Sequence, residues 1–165
     1  MAADATATSP RSAAERRGGP VSADPRTLGW LNRALTHEFG AVQQYLAQST
    51  LALLWGQQGL ADEWRRDAAE ELAHAERLME RLIVLGVAPA TGAMAPARLG
   101  RDADTLLRAN RQLELDAVRL YQEALWHAQR VRDADTTALM QSLLDEEKSH
   151  LDALDHKLTE RMKHG

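Results

Sequence analysis

Along most of the chain, apolar residues recur three or four positions apart, the spacing of one face of an α-helix. The first stripe runs Leu31, Leu35, Val42, Tyr45 and follows Asp24-Pro25, a side-chain cap and a proline pre-set for the first helical turn. It predicts a helix from Asp24 to about Trp55, where Gly56 and Gly59 break it. A second helix, roughly 61–85, carries Trp64, Leu78, Leu82 and Leu85 and stops at Gly86, placed as a C′ glycine. The segment VAPATGAMAPARLG, Val87–Gly100, has no period and is rich in Gly, Ala and Pro, the mark of a long connection. A third helix is expected over about 102–132, with Leu107, Ala117, Tyr121 and Ala124 on one face, and a fourth over about 137–162. The five prolines all lie before Arg26 or between Pro89 and Pro96, which leaves two long proline-free runs. Two helical hairpins joined by one long crossing make an all-α four-helix bundle with a single crossover between helices two and three.

Residues 1–23, MAADATATSPRSAAERRGGPVSA, have no apolar face and cannot offset the entropy of ordering them. They are expected to form a disordered N-terminal tail, with 24–165 as the bundle. Arg16-Arg17 is followed by no apolar run, and nothing approaches the length of a membrane span, so a cytoplasmic protein without membrane contact is expected. Lys and Arg number 20 against 24 Asp and Glu, a net charge of -4, which argues against nucleic-acid binding driven by positive charge. The absence of cysteine excludes disulfides, thiolate metal sites and thiol catalysis.

The chemistry lies in four glutamates that stand on the apolar stripes instead of opposite them. Glu38 falls between Leu35 and Val42, and Glu71 seven residues after Trp64 and seven before Leu78. Glu114 falls between Asn110 and Ala117, and Glu147 between Leu144 and Leu151. Glu71 and Glu147 each open a Glu-x-x-His, with His74 and His150 one turn further on the same face. The halves repeat: Glu38 and Glu71 are 33 positions apart, as are Glu114 and Glu147, and Tyr45 and Tyr121 each follow a stripe glutamate by seven. Four carboxylates in one core are prohibitive unless cations join them. Two divalent ions would neutralise them, and six side chains suffice if two carboxylates bridge. The assignment is then Glu38 and Glu114 as terminal ligands, Glu71 and Glu147 as bridges, and His74 and His150 holding one ion each. Oxygen with one nitrogen per ion and no sulfur suits iron or manganese, and zinc would also bind. Two ferrous ions so held can be oxidised by O2 or peroxide.

Other prominent residues have plainer readings. His37, His127, His156 and His164 fall off the core stripes and are read as solvated, as are Arg65 and Arg66. Trp30, Trp55, Trp64 and Trp126 are read as packing residues, Trp55 and Trp64 also as candidates for subunit contacts. A bundle whose glutamates are ordinary polar groups, a purely structural subunit, would leave four stripe carboxylates without a counter-ion.

The pattern Glu…Glu-x-x-His…Glu…Glu-x-x-His on four helices is that of the ferritin-like di-iron bundles. The words LNRALTHEFGAVQQY, EELAHAERLMERL, LELDAV and LLDEEKSHLDAL around the four glutamates resemble bacterioferritin, over about Leu28 to Met162. The resemblance implies an iron-storage and detoxification protein with two non-haem iron ions per subunit at a ferroxidase centre. Its catalytic residues would be Glu38, Glu71, His74, Glu114, Glu147 and His150, with Tyr45 giving an electron or holding a ligand. It also implies a homo-oligomer, a 24-subunit shell or a mixed shell with a sister subunit. Three positions depart from the family. Leu72 stands where haem-binding members carry a methionine, so haem is not expected. Arg66 and Glu70 replace an inner-surface His and Asp. The chain ends at Gly165 without a short fifth helix, which weakens the expectation of a full shell. The alternative with the same ligands is a small non-storage di-iron or di-manganese oxidase or peroxidase of rubrerythrin type, although no C-x-x-C module is present.

Overall fold

The computed structural model describes residues 23–164. Among them are four helices and no strand: α1 Pro25–Leu54, α2 Gln58–Val84, α3 Ala103–Arg130 and α4 Ala134–His164. The expected tail lies almost wholly outside the described residues. At 1.5 Å per residue each helix is about 40–45 Å long. α1 packs along α2 and α3 along α4, and the two hairpins meet through α1–α3 and α2–α4 contacts.

The ends of the helices follow from their capping chemistry. Asp24 accepts from the Thr27 amide at 2.8 Å, Asp102 from that of Thr105 at 2.7 Å and Asp133 from that of Thr136 at 3.0 Å. At the other end α1, α2 and α3 close with one motif. After α1, Gly56 N bonds Leu53 O and Gln57 N bonds Ala52 O, and Gly56 sits at φ 73°. Gly86 does the same after α2 at φ 76°, but after α3 the left-handed position is filled by Arg132 at φ 59°. Gly59, expected to lie in the break, is the second residue of α2, because Gly56 alone supplies the reversal. The crossing between α2 and α3 runs beside α1. Gln44 bonds the Arg98 backbone twice, at 2.7 and 2.8 Å, and Thr36 accepts from Gly92 N at 2.8 Å.

Two apolar clusters fill the bundle. The larger joins Leu31, Leu35, Leu78, Leu82, Tyr121, Leu125, Met140, Leu143 and Leu144. The smaller, largely alanine, is built on Tyr45, Trp64, Ala68 and Leu106. In α1, α2 and α3 the stripe glutamate falls at the boundary between these clusters, and in α4 Glu147 follows the last residue that helix gives to the larger one, so the polar residues form one layer across the bundle. No helix among the described residues is long and apolar enough to cross a membrane.

Candidate metal centre

All six predicted ligands converge in that layer. Glu38, Glu71, His74 and Glu147 each offer one ligand atom, and these four atoms lie within 4.8 Å of one another. Glu71, Glu114, Glu147 and His150 form a second such group. Glu71 and Glu147 belong to both groups, Glu38 and Glu114 to one each, which is the geometry two bridges and two terminal carboxylates require. The four carboxylates and His74 are almost fully buried, whereas His150 keeps 26% of its side chain exposed.

Whether these residues fit a pair of cations is tested by their unpartnered atoms. Glu38 Oε2, Glu71 Oε1, His74 Nδ1 and both carboxylate oxygens of Glu147 are buried without a hydrogen bond. His74 Nδ1 lies 2.9 Å from Glu147 Oε1 and 3.0 Å from Glu71 Oε2, close enough for ion pairing but without hydrogen-bond geometry. Each buried unpartnered polar group costs about 1–3 kcal/mol. An ion at the point of convergence satisfies them together, so the donor set fits.

The charges agree. Burial, with repulsion from neighbouring carboxylates, pushes Glu38 up to about 8 and Glu114 up to about 10. Burial opposes charge on Glu71 and Glu147 too, but contacts with His150 and His74 outweigh it and hold both below the usual range. His74 is pushed up to about 12 against burial by Glu147, Glu38 and Glu71, and His150 to about 11, chiefly by Glu147. These directions favour protons on Glu38, Glu114 and both imidazoles when metal is absent, and a layer with two neutral carboxyls, two carboxylates and two imidazoliums would be neutral. With four carboxylates, two neutral rings and two divalent ions it is neutral again. Protons and metal can exchange without leaving net charge in the core.

Each terminal glutamate is held from the opposite hairpin. Tyr121 donates to Glu38 Oε1 and Tyr45 to Glu114 Oε1. Burial, reinforced by the carboxylates, raises both phenols well above their ordinary range, so each stays a donor. The outer ring nitrogens have partners as well: His74 Nε2 is 3.2 Å from Glu146 Oε2, and His150 Nε2 is 3.2 Å from Glu70 Oε2. Sequence reasoning missed Glu146 and the role of Glu70, although the signal was there, an acidic residue directly before each Glu-x-x-His. It also missed Gln48, fully buried and donating to Asn110 Oδ1 at 2.6 Å.

Several plainer expectations need correction. His127 is buried, with Nε2 2.8 Å from the Asp24 cap, because α3 ends against the start of α1. His37 is half-buried beside a cavity of about 450 Å³ under the crossing, and burial holds its ring below the ordinary range. Trp126 is exposed rather than packed. Trp64 is buried inside its own chain and has no surface for a subunit contact. His156, Arg65 and Arg66 are exposed as expected. Leu72 lies exposed on α2, and its hydrocarbon offers no lone pair to a haem.

Comparison with known proteins agrees with this geometry. A family model described as a ferritin-like domain matches residues 29–162. Bacterioferritin of Brucella melitensis is 32% identical over 84% of this chain and 86% of its own length. That of Rhodobacter capsulatus is 29% identical over 84% and 86%. A solved structure of the latter, described as having a metal-free dinuclear site and a haem iron in a crystallographic special position, superposes with a TM-score of 0.84 at 28% identity, covering 88% of this chain and 91% of that one. With a family model spanning most of its length and a relative above 30% identity, this chain belongs to the bacterioferritin family of ferritin-like proteins.

Proposed function

We propose that this protein oxidises Fe(II) at a di-iron centre inside each subunit and stores the ferric product in an oligomeric shell. The carrying observation is the pair of four-ligand groups that share Glu71 and Glu147. Glu38 and Glu114 are the terminal ligands, and His74 and His150 each serve one ion. Two ferrous ions there supply the two electrons that reduce O2 to peroxide, or peroxide to water. The protein's share is to bring the ions together, keep their carboxylates dry, and hold the terminal ligands through Tyr121 and Tyr45. Tyr45 also borders a void of about 60 Å³ beside Asp67, Glu70 and His150, which leaves the phenol open to water on that side. Iron is the favoured metal, manganese and zinc being alternative occupants of the same ligands. Haem plays no part, because Leu72 provides no ligand. A cytoplasmic location accords with the absence of a membrane-spanning helix among the described residues.

The test is anaerobic loading with Fe(II), followed by O2 or peroxide, with ferric iron followed optically and native mass by light scattering. A rapid phase of about two ions per subunit, then continued uptake retained by a large particle, is expected. No oxidation above buffer would overturn the metal reading. A rapid phase in a dimer that retains only those two ions would instead identify a non-storage oxidase or peroxidase.

A further inference from the structure

The two hairpins are related by one offset of 76 positions: Glu38 to Glu114, Tyr45 to Tyr121, Glu71 to Glu147, His74 to His150. The same offset takes Glu70 to Glu146, the two carboxylates that contact the outer ring nitrogens. The contacts cross over, for Glu146 on α4 serves His74 on α2 and Glu70 on α2 serves His150 on α4. The two supports are built differently. Glu146 Oε1 accepts from Arg77 at 2.7 Å and from Ser142 Oγ at 2.9 Å, and Arg77 donates to Ser142 Oγ at 2.7 Å. Among the described residues Glu70 pairs with His150 alone, and its side chain is 58% exposed. The offset explains why. The counterpart of Arg77 is Ala153, beside Glu70 in the 60 Å³ void, and the counterpart of Ser142 is Arg66, whose Nε donates to the Asp62 carbonyl at 3.4 Å.

We infer that Glu146 and Glu70 are positioning residues that make the two metal positions unequal, the His74 position binding first and tightly and the His150 position being the exchangeable one. A carboxylate that accepts the Nε2 proton keeps it there, turns the Nδ1 lone pair inward and raises ring basicity. Glu146 does so from a fixed place, since a guanidinium and a hydroxyl already hold it. Glu146 is itself 43% exposed, but the His74 ring it holds is buried, so little rotamer freedom is left to lose when metal arrives. Glu70 and His150 are both partly exposed, and the ring must be ordered as the ion binds. An exchangeable ion beside a solvent-reaching void suits a centre whose product must leave.

This inference rests on the metal-centre reading, and one titration separates their failures. The full-length apo protein is titrated with Co(II), followed by its visible absorption bands and by calorimetry. Two unequal steps are expected for the unaltered chain. Glu146→Gln should weaken the tight step about 10–100-fold and leave the other within about twofold. Glu70→Gln should weaken the second step alone, by less. Arg77→Gln should move the tight step in the same direction as Glu146→Gln, which guards against one variant failing to fold. The decisive variant adds what is missing: Ala153→Arg gives Glu70 its guanidinium and should tighten the second step, changing its Co(II) spectrum while the first is unmoved. Two equal steps in the unaltered chain, variants that shift both steps alike, or an Ala153→Arg protein with an unchanged second step would each overturn the inference while leaving the metal centre standing. No Co(II) bound at all would overturn the metal centre itself.

Discussion

The α1–α2 hairpin and the α3–α4 hairpin carry the same ligands at the same spacing, yet the surroundings of their two tyrosines differ. Tyr121, which donates to Glu38, is fully buried in the larger cluster among Leu31, Leu35, Leu125 and Leu144. Tyr45, which donates to Glu114, belongs to the smaller cluster of alanines and Trp64 and borders the 60 Å³ void beside Asp67 and His150. Three residues on from Tyr45, Gln48 and Asn110 form a buried polar pair; their counterparts at the 76-residue offset are Ala124 and Ala34. One half therefore serves as a dry clamp and the other as a wetter approach. Repetition supplied two equal sets of ligands, and packing made them unequal.

The largest effect should come from the residues both halves share. Glu147→Ala removes a ligand from both groups and should abolish binding of both ions and lower rapid Fe(II) oxidation by at least about 100-fold, more than loss of a supporting residue costs. Glu38→Ala or Glu114→Ala should cost one ion only, read as Zn(II) stoichiometry by equilibrium dialysis. If Glu38→Ala removed both ions, the division into two four-ligand groups would be wrong.

Next in size is the pH dependence of the metal-free chain, to which both halves contribute with one sign. Glu38, Glu114, His74 and His150 all bind protons more tightly folded than unfolded. Between the unfolded values, about 4.3 for Glu and 6.5 for His, and the folded ones of about 8 to 12, the native state holds more protons. Stability conferred by those protons is complete below the unfolded values and is lost as pH rises. Apo protein should thus melt at lower temperature at pH 9 than at pH 6, by differential scanning calorimetry, and the difference should shrink when Zn(II) is bound. An apo melting temperature that rises over this range would contradict the proton ledger, and with it the expected release of up to four protons per subunit on loading.

A smaller effect separates the two tyrosines. Tyr121→Phe leaves Glu38 Oε1 without its donor in an apolar surround and should cost about 1–3 kcal/mol in the apo protein. Tyr45→Phe should cost less, because the adjoining void has room for a water that can replace the phenol. Oxidation rate should show the reverse order, with Tyr45→Phe the slower variant. Equal losses in both assays would erase the distinction between clamp and approach.

The smallest effect lies at the hairpin turns. Gly56 and Arg132 are counterparts at the left-handed cap, and a non-glycine residue there costs about 1 kcal/mol. Arg132→Gly should raise the melting temperature by a few degrees without changing metal stoichiometry. A loss of stability would mean that the arginine side chain outweighs its backbone cost.

Much of the centre was legible in the chain because helical period and charge are local properties. Glu38, Glu71, Glu114 and Glu147 stand at apolar positions, and a carboxylate at such a position demands a cation wherever the helices end up. Four helices and the long connection followed from that spacing, as did the six candidate ligands that the proposed centre uses, and the capping residues Asp24 and Gly86 marked helix ends correctly. The outer partners of the histidines were harder to see. Glu70 and Glu146 look like ordinary solvated glutamates, and only the packing of α2 against α4 brings each to the other helix's ring. His127 was misread for the same reason, since its partner Asp24 is 103 residues away. The helices, the order of their connections and the six candidate ligands could be read along the chain, because helical period and charge act within one or two turns. Which carboxylates are shared, which histidine is sealed and which remains open were decided by the tertiary structure, because those distances exist only once four helices have fixed their registers against one another.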